Sequence, residues 1–130
     1  MNATLSLASD AQALLDQELH GLLENGTGIY AVFFSTIDGH AVAHATQAQL
    51  PESKFAAMTS SLIALGESVA HEGNQRACQY VVIVNSDGIV ATRRCGKYYV
   101  LSILARKDTN LGMVLSSTRA TIDHILTFIQ

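Results

Sequence analysis

Cys78-Gln-Tyr-Val-Val-Ile-Val84, Asn85-Ser-Asp-Gly88, Ile89-Val-Ala-Thr-Arg-Arg-Cys95, Gly96-Lys97 and Tyr98-Tyr-Val-Leu-Ser-Ile-Leu-Ala105 follow one another without interruption. Three runs rich in Val, Ile and Tyr are separated by two tight turn signals, the pattern of an antiparallel three-stranded meander. In the first run Tyr80, Val82 and Val84 point to one side, and Val81 and Ile83 to the other. A strand that is apolar on both faces must be covered on both, so helices or a partner lie on each side of the sheet.

Working back toward the N-terminus, Ile29–Phe34 is a second doubly apolar run. A turn at Ser35–Gly39 leads into His40–Ala45, small and partly polar, which suits an edge strand. Tyr30–Phe34 with its Asp38-Gly39 turn echoes Tyr80–Val84 with Asp87-Gly88, the same strand-and-hairpin physics used twice. Helical spacing of Ala11, Leu14, Leu15, Leu19, Leu22 and Leu23 predicts a first helix over about Asp10–Glu24, capped by Ser9 with Gln12 and stopped at Asn25-Gly26. Glu52–Glu72 predicts a second helix. Its seam of Phe55, Met58, Leu62, Leu65 and Val69 is expected to face the sheet. The small flank of Thr59, Ile63, Gly66 and Ala70 is then free to meet another helix closely. Asp108-Thr109-Asn110 caps a third helix over about Leu111–Phe128, with a stripe of Leu111, Val114, Leu115, Thr118, Ile122, Ile125, Leu126 and Ile129.

At 130 residues, nearly half of them hydrophobic, the chain suits one domain spanning 1–130. No apolar run approaches the ~20 residues of a membrane span. The N-terminal stretch lacks the basic residues and apolar length of a signal peptide, so the expected compartment is the cytoplasm, with no membrane insertion. Net charge is −3 and unevenly placed. Residues 1–75 carry eight acids and one base, Lys54; residues 76–130 carry seven bases and three acids. The late bases read as solvated surface or as a docking patch for an acidic protein, with Arg93, Arg94 and Lys97 grouped at one end of the meander. Nucleic acid is disfavoured, because the total is acidic and no aromatics interleave the bases.

No motif signals an active site. Gly26-Thr27-Gly28 lacks the Lys and the length of a phosphate loop. His40 and His44 share a strand face, with no Cys or acid at ligand spacing. Arg93 and Arg94 read either as an arginine finger or as strand-end charges. Neither a catalytic residue, nor a cofactor site, nor a metal site is expected. Two cysteines make no disulfide framework. If Val84 pairs with Ile89, the same register places Cys78 opposite Cys95, within bridging reach.

One edge of the sheet is His40–Ala45, so its hairpin partner is internal and joins the meander through the meander's first or last strand. Either choice leaves an uncharged strand, Cys78–Val84 or Tyr98–Leu104, at the other edge. Such an edge invites aggregation unless a twin strand covers it, so a homodimer is expected.

The order helix, two strands, helix, three strands, helix resembles the Roadblock/LC7 family, which includes dynein light chains and bacterial MglB-type proteins. The likeness rests on Asp38-Gly39, the Phe55–Val69 helix, Asp87-Gly88 and Asn110-Leu111-Gly112, and covers about Asp10–Gln130. It implies an α+β fold with a five-stranded antiparallel sheet in order 2-1-5-4-3. Helices one and three cover one face and helix two the other. It also implies a homodimer through the third strand and second helix, hence an interface of Thr59, Ile63, Gly66, Ala70, Tyr80, Val82 and Val84. The expected function is regulation or binding of a small Ras-like GTPase, with partner contacts at Arg93, Arg94 and Lys97. The alternatives are an adaptor that leaves GTP turnover unchanged, and a small-molecule sensor of the GAF type, for which the meander shows no polar-lined cavity.

Overall fold

A computed structural model describes residues 7–25 and 27–129. The elements are α1 (Ser9–Glu24), β1 (Ile29–Thr36), β2 (Ala41–Thr46), α2 (Glu52–Glu72), β3 (Val81–Asn85), β4 (Gly88–Cys95), β5 (Tyr99–Arg106) and α3 (Leu111–Ile125). All strand pairings are antiparallel, and the sheet order is β2-β1-β5-β4-β3, as the resemblance implies.

Alternation along β1 and β5 sends neighbouring side chains into two separate cores. Val32, Phe34, Leu101 and Ile103 join Leu15, Leu19, Leu22 of α1 and Val114, Ile122, Ile125 of α3. Ala31, Phe33 and Leu104 face α2, where Phe33 and Phe55 stack with ring centroids 4.6 Å apart. Two helices therefore cover one face and a single helix the other.

Several local expectations are corrected. Ala8, not Ser9, is the N-cap of α1, and no side chain caps it. The expected stop at Asn25-Gly26 lies partly outside the described residues. Asn110 does cap α3, accepting a bond from Met113 N at 3.1 Å, but the helix ends at Ile125 and turns beyond it. Leu111 and Leu126, assigned to the buried stripe, are both exposed.

The main correction concerns α2, which is rotated from the expected orientation. Its buried residues are Ala56, Thr59, Ser60 and Ile63. Met58, Leu65 and Val69 are 57%, 62% and 64% exposed. The small residues face the sheet because they let the helix lie close to it. The hydroxyls cost little there: Thr59 Oγ1 donates to the Phe55 carbonyl at 2.7 Å and Ser60 Oγ to that of Ala57 at 3.0 Å. A Cβ built on Gly66 would stand 2.6 Å from Val81 Cγ2 and 3.0 Å from Cys78 Sγ. Thr59 and Ile63 are therefore buried within the monomer, against the sheet rather than free to meet a second helix, while Gly66 and Ala70 are half-buried and line the edge of a groove beside β3.

Ile63→Ala is expected to lower stability by about 2–5 kcal/mol, as a buried truncation. Leu65→Ala, two residues on, should stay within about 0.5 kcal/mol for the monomer. Urea melts taken at protein concentrations too low to affect the midpoint will compare them. Equal losses would restore the orientation expected from the sequence.

Candidate interaction surface

β3 is the edge from which the surface is built. Val84 pairs with Ile89 and Asn85 with Gly88, around a Ser86-Asp87 turn, as the register in the sequence predicts. Gly88 is required there, because a Cβ would run into the Ala105 carbonyl oxygen of β5. In a two-residue hairpin the closing pair, Asn85 and Gly88, is hydrogen-bonded, and the bonding alternates from there. Val81, Ile83 and Asn85 thus direct their N–H and C=O groups to β4. Val82 and Val84 direct theirs outward, away from the sheet.

The side chains around that edge are apolar and open. Val84 is 75% and Ile83 38% exposed. On the α2 side, a groove of about 630 Å³ runs between the helix and the strand; Leu62, Leu65, Val69, Val81 and Val82 contribute to its wall. The exposed seam of α2 and the open edge of β3 form one continuous surface.

The expected basic patch is not brought together. Successive residues of a strand point to opposite faces. Arg94 turns toward α2, where its Nε donates to Glu67 Oε2 at 2.9 Å and its Nη2 to Glu67 Oε1 at 3.0 Å. Its Nη1 donates to the Lys97 carbonyl at 3.0 Å. Arg93 turns the other way, its guanidinium carbon 4.6 Å from the Tyr80 ring centroid. Tyr80 is in turn held by its hydroxyl, which donates to the Leu115 carbonyl at 3.0 Å. Arg94 is thus a fold contact between β4 and α2. The hydrogen bond from Arg94 holds the Glu67 carboxyl below its ordinary range, against the opposing effect of partial burial.

The two cysteines are also separated. The register that would oppose them holds from Asn85 back to Val81, where the ladder ends, and residues 78–80 leave the strand. Cys78 turns its sulfur toward Gly66 of α2. Cys95 is wholly buried in the core under α1 and α3, and burial pushes its thiol up to about 12. The two sulfurs lie on opposite sides of the sheet, out of bridging reach, and both cysteines are free.

His44 Nδ1 lies 2.9 Å from Glu52 Oε2, a single acid partner that the sequence spacing did not suggest. No cluster of three or more His, Cys, Asp or Glu able to hold a metal occurs among the described residues. Among the described residues, no helix is long and apolar enough to cross a membrane.

Sequence comparison finds no matching family model and no matching curated protein. Structural comparison places the chain in the Roadblock/LC7 fold. An MglB described with a tetrameric arrangement superposes with a TM-score of 0.88 at 16% identity, over 99% of this chain and 97% of that one. The gliding protein MglB of Thermus thermophilus gives 0.86 at 16% identity, over 99% and 98%. A Roadblock/LC7 domain from Streptomyces avermitilis gives 0.81 at 17% identity, over 87% and 95%.

The Glu67–Arg94 pair yields a pH prediction. A depressed carboxyl contributes stability above its unfolded pKa and loses it as pH falls through the lower folded value. The stability gap between the native chain and Glu67→Gln should hold steady from neutral pH down to about 5. It should then shrink as pH falls below 4.5, the ordinary glutamate value. Both side chains are about a third exposed, so the gap should also narrow in high salt. A gap independent of pH between 7 and 3 would remove the charge from the interaction.

Proposed function

We propose that this chain is a homodimeric regulator or binding partner of a small Ras-like GTPase, acting without an active site of its own. The carrying observation is the outward-bonding β3 edge continuous with the exposed seam of α2. An uncharged edge strand with free Val82 and Val84 backbone groups is stabilised by a second copy of itself, antiparallel across a two-fold axis. Met58, Leu62, Leu65 and Val69 then meet their counterparts on the twin α2, in place of Thr59, Ile63 and Gly66. Tyr80, Val82 and Val84 remain with the strand at the interface. The likeness to MglB and Roadblock/LC7 structures supports a regulator rather than a catalyst.

The surface bases that remain open, Arg93 and Lys97, act on an acidic partner mainly through association rate and salt dependence. Arg94 contributes less than the sequence suggests, since Glu67 already engages it.

Light scattering at micromolar concentration should give twice the chain mass. Val84→Lys should give a folded monomer, because Val84 is already largely exposed and the substitution puts like charges across the axis. A native chain that scatters as a monomer would sink the homodimer. With a small Ras-like GTPase encoded near it, the dimer should bind and change the rate of GTP turnover. Binding with unchanged turnover would favour the adaptor reading instead.

A further inference from the structure

We propose that the homodimer carries a composite groove on the sheet face opposite α2, built from both copies, that receives one amphipathic helix of a partner protein. The inference rests on the homodimer proposed above. It concerns the face that this homodimer leaves uncovered.

Val114, Ile122 and Ile125 of α3 share one core with Ala91 and Cys95 of β4 and Leu101 and Ile103 of β5, so α3 lies on the β4–β5 side of this face. β3 extends beyond it. The floor there is apolar: Val84 is largely exposed, while Val82 and Ile89 are half-buried. The backbone bond from Lys107 N to the Asp87 carbonyl brings the start of α3 to the β3–β4 hairpin. The wall of α3 along this floor is the line Leu111, Leu115, Arg119, spaced one turn apart. Leu111, one turn before the Leu115 whose carbonyl accepts from Tyr80, is 37% exposed.

Pairing β3 with its twin doubles the floor and sets a second α3 opposite the first. From midway between β4 and β5 to the same line in the twin is four strand spacings, about 19 Å at about 4.8 Å each. Two helix–helix spacings of about 8–10 Å make about 16–20 Å. The gap between the two α3 helices therefore has the width of one helix, and half of it is absent in a monomer. On the α2 face no such gap exists, because each α2 brings its own exposed seam to the centre.

The occupant's chemistry follows from the walls. Val82, Val84, Ile89, Leu111 and Leu115 require an apolar stripe at helical spacing. Arg93, stacked on Tyr80, and Arg119 stand farther along each wall, with Asp123 one turn beyond Arg119. Two-fold symmetry places such a pair of arginines on both sides, so acidic residues flanking the stripe complete the match.

The test uses the full chain and a synthetic 18-residue helix with a Leu stripe and Glu flanks. Light scattering first establishes the dimer; a monomer overturns the homodimer and the groove together. With the dimer intact, titration should give one peptide per two chains. Amide shifts should concentrate on Val82, Val84, Ile89, Leu111 and Leu115. Leu111→Glu should weaken binding at least tenfold while scattering still reports a dimer. Leu14→Glu, on exposed α1, should leave it unchanged. Lys in place of the flanking Glu should weaken binding at least tenfold at low salt. An intact dimer that does not bind the peptide at millimolar concentration overturns the groove alone. So does binding that shifts the α2 seam instead, or a ratio of one peptide per chain.

Discussion

The central pair of strands, β1 and β5, is buried on both faces, and the remaining architecture depends on that. Phe33 and Phe34 are adjacent in the chain, each almost wholly buried, yet they enter different cores. No single layer of helices can satisfy both. α1 and α3 together cover β2 through β4 on one side, while α2 alone serves the other. α2, crossing the sheet, makes contact with all five strands. The uncovered apolar surface falls at the outer end of β3, at Ile83 and Val84, beyond the point where α2 meets Val81.

α2 reaches its side of the sheet by turning its small residues inward. Ordinarily the largest apolar side chains of an amphipathic helix are buried. Here Gly66 permits contact with Val81 that a larger residue would block, and Glu67 beside it is gripped by Arg94 of β4. That anchorage fixes the helix's rotation and leaves Met58, Leu65 and Val69 outside. Within the seam Phe55 and Leu62 are half-buried, Phe55 because it stacks on Phe33 at the other end of the helix. The inverted burial leaves on the outside an apolar seam that the proposed homodimer would cover.

This explains which parts of the molecule were legible in the sequence. The bounds of α2, Glu52–Glu72, and the register of the β3–β4 hairpin followed from local signals: helical spacing of apolar residues, and Asp-Gly after a β-branched run. The rotation of α2 did not, because both the seam and the flank have helical spacing, and periodicity cannot rank two apolar faces. Gly66 was the available clue, since a glycine inside a helix often marks close approach to another element. The placement of Arg93 and Arg94 on opposite faces was implicit in the strand period, which a reading by cluster overlooked. Cys78 is different in kind. The register that would have opposed it to Cys95 holds only as far back as Val81, three residues short of it, and its side chain turns to the α2 side instead; where an edge strand frays is a tertiary matter.

The two edges of the sheet are built very differently. β2 is composed of small residues and carries a register shift against β1 between Phe34 and Ser35. Its exposed His44 is engaged by Glu52, and Pro51 follows in the adjoining loop. Bulges, charge and brevity are the usual means by which an edge is kept from pairing. β3 has none of the first two: its register against β4 is unbroken, its side chains through Val84 are apolar, and no base or proline interrupts it. One chain thus protects one edge and leaves the other open. A difference of that kind within a single sheet is best accounted for by pairing at β3, with the exposed seam of α2 closing over the same axis.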